Sequence, residues 1–164
     1  MGNTGENLKE AFAGESQANR KYLAFAKKAD EEGYPQIARL FRAAAEAETV
    51  HAHNHLNVVG GVKPTVENLK AAYEGEHAEF TSMYPQFIEQ AKKEGNNEAL
   101  ATFHWANEVE KVHGNLFQKA SQNLKSLESA PYYVCQRCGY TIEKNPPEKC
   151  PVCGASKNTF KKIE

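Results

Sequence analysis

The chain has 164 residues, a quarter of them charged, with 20 Lys and Arg against 21 Asp and Glu for a formal net charge of −1. That balance sets up no basic field of the kind that draws nucleic acid or anionic lipid. A mean hydropathy of −0.69, with no apolar run near the roughly 18 residues of a span, excludes a helical membrane protein. The opening MGNTGENLKE lacks the apolar core of a secretory signal and carries Glu6 where a myristoylation signal takes Ser or Thr, so a cytoplasmic protein is expected.

Residues 3 to about 128 are rich in Ala, Glu, Lys, Gln and Leu, and four punctuated helices are predicted. The first starts at Asn3-Thr4, with Glu6 placed for a capping box on Asn3, and stops at Gly33; its apolar stripe is Leu8, Phe12, Tyr22, Ala26 and Ala29. The second starts at Pro35 and ends at Gly60-Gly61, with Ile37, Phe41, Ala44 and Val58 facing inward. The third follows Pro64-Thr65 and runs to Gly95, with Leu69, Ala72 and Met83 inward and a kink expected at Pro85. The fourth starts at Asn96-Asn97 and fades in SLESAP, 126–131, with Phe103, Ala106, Phe117, Ala120 and Leu124 inward. This spacing is that of a four-helix bundle. After residue 131 Tyr, Pro, Gly and Cys dominate and the helical period stops. The chain thus reads as a helical domain, 1–130, and a module, 131–164, too small for an ordinary core and dependent on metal ligation.

The helical region repeats. AFAGE at 11–15 matches AYEGE at 72–76, and EAETVH at 46–51 matches EVEKVH at 108–113, both at an offset of about 61 to 62 positions, as are Gly33 and Gly95. Acidic and imidazole groups interrupt the apolar stripes: Glu15 in the first helix, Glu48 and His51 in the second, Glu76 and Glu79 in the third, Glu110 and His113 in the fourth. Residues three apart share a helical face, so each Glu-x-x-His aims two side chains at one point. Counted from the glycines at which each hairpin folds back, the interrupting residues of paired helices lie at similar heights. Glu79 has only Ala18 as its counterpart, which makes the two halves inequivalent. Carboxylates packed together in a low-dielectric interior repel one another unless cations sit among them. One Glu plus Glu-x-x-His from each half is the dimetal arrangement of ferritin-like bundles, and its oxygen-rich ligation suits iron or manganese.

All four cysteines lie in the last 30 residues, as Cys135-x-x-Cys138-Gly and Cys150-x-x-Cys153-Gly. Two such knuckles place four thiolates around one tetrahedral ion, iron or its substitute zinc.

With the FAGESQA box, both Glu-x-x-His pairs, GEHAEFTSMYP, and the CQRCGY and CPVCG knuckles, the chain resembles the rubrerythrin family over nearly all its length. The resemblance implies a ferritin-like diiron domain followed by a rubredoxin-like domain. It implies a cytoplasmic peroxidase that reduces hydrogen peroxide to water in oxidative-stress defence. Electrons would come from an NAD(P)H-linked reductase or a rubredoxin through the iron–tetracysteine site. Carried over, the diiron ligands are Glu15, Glu48, His51, Glu76, Glu79, Glu110 and His113, with Glu48 and Glu110 bridging and Glu79 and His51 alternating on one iron. Tyr22 and Tyr84 match tyrosines beside the family's diiron site; on residues alone they are equally well core aromatics.

Spacing bears on assembly. Gly60 to Pro64 reaches roughly 17 Å, too short for the crossover that a ferritin-like bundle needs between its second and third helices. An up-down-up-down monomer is one solution. With the family's helix directions kept, the first two helices must instead pack on the last two of a second copy, and a domain-swapped homodimer is expected. The cysteine module, leaving a helix thought to end near Leu127, should lie beyond reach of its own helix's ligands and deliver electrons to a neighbouring subunit. Two other readings compete: an iron-oxidising, iron-handling protein, for which the cysteine module is superfluous, and a non-enzymatic zinc ribbon serving interaction on a helical scaffold.

Overall fold

The structure is a computed structural model and describes residues 3–163; the Met1-Gly2 start lies outside them. It divides into two compact units, Met1–Lys63 and Pro64–Glu164. Among the described residues no helix is long and apolar enough to cross a membrane.

The first unit is a hairpin of α1 (Thr4–Glu31) and α2 (Pro35–Val58). The capping box forms as expected: the Asn3 side chain accepts from the Glu6 N–H, and Glu6 accepts from the Asn3 N–H. Gly33, at φ +82°, ends α1 in the left-handed conformation that only glycine adopts cheaply, and Tyr34 N–H closes back onto the Ala29 carbonyl at 2.8 Å. The hairpin closes on alanines, with Ala26 and Ala29 of α1 and Ala38, Ala45 and Ala52 of α2 all buried. This corrects the expected stripe of α2. Ile37 and Val58 are 48% and 73% exposed, because α2 turns its smallest side chains to the seam, where they let two backbones approach most closely. Asn19 pins the register, donating from Nδ2 to the Ala45 carbonyl at 2.7 Å and to Thr49 Oγ1 at 2.9 Å.

The second unit begins with α3 (Thr65–Ala78), a π-helical turn (Glu79–Met83), α4 (Tyr84–Glu94) and α5 (Asn97–Gln122). Pro85 does break the third segment, but as a widened turn rather than a simple kink. Lacking an N–H and clashing with the carbonyl four residues back, it cannot follow an ordinary α-turn. The widened turn holds one extra residue, and the internal repeat records it: Glu15 and Glu76 are 61 positions apart, Tyr22 and Tyr84 are 62. Asn96 caps α5 by accepting from the Ala99 N–H at 3.0 Å. Gly114 of α5 permits a close crossing, since a Cβ there would lie 3.3 Å from the Phe80 ring. The last helix ends at Gln122, earlier than expected, where Asn123 folds its side-chain amide onto the Lys119 carbonyl. Leu124, placed inward from sequence, is 46% exposed.

Strands β1 (Tyr132–Cys135), β2 (Thr141–Glu143) and β3 (Phe160–Ile163) form an antiparallel sheet in the order β2-β1-β3. Val134 lies opposite Thr141, and Cys135 opposite Phe160. This module folds back along its own α5, contrary to the sequence expectation. Arg137 sits 5.0 Å over the Trp105 ring, a Cβ on Gly139 would meet Val109 at 3.7 Å, Thr141 meets His113, and Lys119 pairs with Glu143. Trp105, Val109 and His113 lie about one turn apart along α5, and Lys119 lies six residues further on. The helix stops at Gln122 rather than near Leu127, which frees the residues after it for the return. The tether from Asn123 to Pro131 can extend to roughly 30 Å, ample for a return.

Candidate functional site

Each unit gathers one trio of ligand-type side chains. In the first, Glu15 of α1 meets Glu48 and His51 of α2: His51 Nδ1 lies 2.9 Å from Glu48 Oε2 and 4.0 Å from Glu15 Oε1. In the second, Glu76 of α3 meets Glu110 and His113 of α5: His113 Nδ1 lies 2.7 Å from Glu110 Oε2 and 3.8 Å from Glu76 Oε1. Helical spacing explains both, since the Glu-x-x-His side chains stack on one face and a carboxylate from the neighbouring helix closes the group. The distances also test the fit to a metal. Ligands about 2.1 Å from an octahedral ion lie about 3.0 Å apart when adjacent and about 4.2 Å when opposed, close to both trios. Glu79, the first residue of the π-helical turn, stands outside the second trio yet shares its field.

Charge is poorly balanced there without a cation. Burial, then the hydrogen bond and charge of Glu110, push the Glu76 carboxyl up to about 7. Burial would raise Glu110 too, but hydrogen bonds from His113 and Glu76 outweigh it and hold it low. Burial and then the Glu110 charge raise Glu79, while the Glu110 hydrogen bond raises His113 against its burial. Tyr84 is raised by burial and by the charges of Glu79, Glu110 and Glu76.

The raised Glu76 has a measurable consequence. Above pH 4.5 the unfolded carboxyl has lost its proton while the folded one keeps it, so the stabilisation from this group is full at low pH and fades as pH climbs toward 7. A metal ion takes the place of that proton. Saturating the metal-free chain with ferrous iron at pH 6 in weak buffer should release protons, with about one fewer from Glu76→Gln. Equal release from both chains, read by an indicator dye, contradicts this assignment.

Tyr22 and Tyr84 head two aromatic triads related by the repeat. Tyr22, Phe25 and Phe41 have ring centroids 6.3, 6.2 and 5.5 Å apart; Tyr84, Phe87 and Phe103 have 6.2, 6.4 and 5.5 Å. An apolar cleft of about 470 Å³, lined by Leu69, Leu116, Phe117 and Tyr132, opens onto Glu76 and His113. Of the remaining histidines, His53, His77 and His104 are exposed, and His55 is half-buried.

The four cysteines converge with Cys135 Sγ 3.7 Å from Cys153 Sγ and Cys138 Sγ 3.5 Å from Cys150 Sγ. A tetrahedral ion with metal–sulfur bonds of about 2.3 Å sets sulfurs about 3.8 Å apart. Gly139 and Gly154, at φ +86° and +72°, turn each knuckle so that their N–H groups donate to the Cys135 and Cys150 carbonyls, both at 2.9 Å. Without a cation the thiols cannot ionise together. Burial raises Cys138 and Cys153, whereas Cys135, despite its burial, is lowered by the N–H groups of Arg137 and Cys138.

Sequence reasoning missed two residues. Thr141 bonds His113 Nε2 at 2.9 Å across 28 positions, and no motif marks it. Asn107, one turn before Glu110, is buried with its Oδ1 unpartnered among the described residues.

The family model described as Rubrerythrin matches residues 6–121, and that of the rubrerythrin rubredoxin-like domain matches residues 133–161. Nigerythrin of Nitratidesulfovibrio vulgaris is 41% identical over 98% of this chain and 86% of its own length. Rubrerythrin-2 of Clostridium acetobutylicum is 37% identical over 96% and 95%. Solved nigerythrin in a partially reduced state matches with a TM-score of 0.60 at 38% identity, covering 99% of this chain and 88% of that one; a fully reduced, all-ferrous nigerythrin gives 0.58 at the same identity and coverage. The fold class read from sequence, ferritin-like helices followed by a rubredoxin-like module, is therefore borne out, and the chain carries a diiron-type carboxylate–histidine site and a four-cysteine site.

Proposed function

Since the chain belongs to the rubrerythrin family, we propose that it is an oxidoreductase of a specific kind: a non-haem diiron peroxidase that carries out H2O2 + 2 H+ + 2 e− → 2 H2O. The observation that carries the reading is the pair of matched carboxylate–histidine trios on a chain that also holds a tetracysteine site. When bound, two adjacent ferrous ions supply one electron each, so peroxide is cleaved without a free radical.

The chain's own residues do the rest. Glu15, Glu48, His51, Glu76, Glu79, Glu110 and His113 would hold the pair, with Glu48 and Glu110 as the shared carboxylates. Glu79 and His51 would exchange on one iron as its charge changes. Two features favour that exchange: the His51 side chain is 55% exposed, against 28% for His113, and no hydrogen bond holds its Nε2 among the described residues. Tyr84, whose phenol keeps its proton beside these carboxylates, is the proton donor at the acidic group. The apolar cleft beside Glu76 and His113 is the entry for peroxide.

Electrons would enter at the cysteine site from an NAD(P)H-linked reductase or a rubredoxin, in the cytoplasm. The working assembly would be a domain-swapped homodimer, the first unit of one chain packing on the second unit of its partner, so that each diiron site takes ligands from both. The aromatic triads support this. Phe25 and Phe87, at matched positions, are 47% and 42% exposed, and each presents an apolar face of the kind that a bundle covers.

Anaerobic titration of the fully reduced chain with peroxide, followed optically at both centres, tests the reading. One equivalent should oxidise the diiron site, with the tetracysteine iron reddening as further peroxide arrives. Faster oxidation by oxygen than by peroxide would favour iron handling, and a colourless cysteine site would favour zinc.

A further inference from the structure

We propose that Thr141 is a positioning residue that fixes which nitrogen of His113 faces the metal and joins that ligand to the cysteine knuckle. The inference rests on the metal reading of the second trio. It follows from counting protons at one hydroxyl. Thr141 Oγ1 donates its single proton to the Gly139 carbonyl at 3.0 Å. Toward His113 Nε2, 2.9 Å away, that oxygen can only accept. Nε2 therefore carries a ring proton, and the proton that Nδ1 donates to Glu110 is the one a metal ion would displace, leaving the Nδ1 lone pair for the metal on the side of Glu110 and Glu76.

The bond also couples two parts of the second unit. Thr141 opens β2, and Gly139 follows Cys138 directly in the first knuckle. A continuous route then runs from the Cys138 backbone through the Gly139 carbonyl, the Thr141 hydroxyl and the His113 ring to the ligand nitrogen. Groups that orient a ligating histidine in this way raise its basicity and typically govern metal affinity by 10- to 100-fold. The matched His51 has no such group among the described residues, so only one of the two histidines is clamped.

The test uses the full chain loaded anaerobically with ferrous iron, as native protein, Thr141→Val and Thr141→Ser. The ring N–H of an iron-bound histidine gives a hyperfine-shifted proton resonance that exchanges with solvent. In the native chain one such resonance should exchange slowly. Thr141→Val, which keeps the shape and removes the acceptor, should lose the slow exchange and weaken ferrous binding at the carboxylate–histidine site by about 10- to 100-fold. Thr141→Ser should restore both. Unchanged absorption of the tetracysteine iron in all three shows the module still folded. The proposal is overturned if Thr141→Val keeps the slow resonance and native affinity, or if Ser behaves like Val. If the native chain shows no histidine resonance at all, the metal reading fails first and takes this inference with it.

Discussion

Two chains, each disabled in a different unit, should together regain about a quarter of native peroxide turnover when co-refolded in equal amounts. One carries Glu48→Ala and His51→Ala; the other carries Glu110→Ala and His113→Ala. Alone, each has lost an inner carboxylate and an imidazole from every site, and turnover should fall by about a thousandfold or more, because the iron pair is not held. In a swapped dimer of the two, one site combines an intact first unit with an intact second unit, and the other site is doubly dead. Random pairing makes about half of the dimers mixed, and each of those holds one working site of two. Within a single chain no complete site can arise, however the chains are mixed. Zero recovery from well-folded partners therefore removes the swapped assembly and leaves the ligand set intact.

Replacing Cys138 by Ser should separate the two half-reactions. Beyond the buried Cys135 and Cys150, the module has little interior, so its fold depends on the metal that its thiolates hold. The variant should lose the red tetrathiolate absorption and drop steady-state turnover from a reductase by roughly a hundredfold or more, for want of an electron entry. A chain whose diiron site has been reduced chemically beforehand should still consume its first equivalent of peroxide within a few-fold of the native rate. If that single turnover also collapses, the docked module is needed for the chemistry itself, and the contacts of Thr141 and Lys119 on α5 become the place to look. If steady-state turnover survives, electrons enter elsewhere.

Much of this was legible in the residues. Helix ends followed from Asn3, Gly33, Gly95 and Asn96, because caps and left-handed turns are local chemistry. Both trios followed from Glu-x-x-His spacing, and the cysteine site from its paired knuckles. The rotation of α2 was not legible. Hydrophobicity ranks Ile37 above Ala38, but what faces a helix seam is decided by how closely two backbones can approach. The return of the module along α5 was hidden for another reason. It depends on where a helix stops and on contacts such as Arg137 with Trp105, which join segments far apart in the chain. Thr141 belongs to the same class.

The widened turn at Glu79–Met83 has a lasting consequence for the duplicated hairpin. One surplus residue in a straight helix would rotate everything after it by about 100°, sending Tyr84 and its aromatic companions to the wrong side. Absorbed in a bulge, the insertion leaves the downstream triad a near-copy of its twin and confines the mismatch to the stretch that begins with Glu79. Trimming one residue from Phe80–Met83 would restore the register of the two hairpins but leave Glu79 without a carboxylate counterpart, since Ala18 stands at the matching position. In the proposed centre, Glu79 would give one iron position a carboxylate that the other lacks.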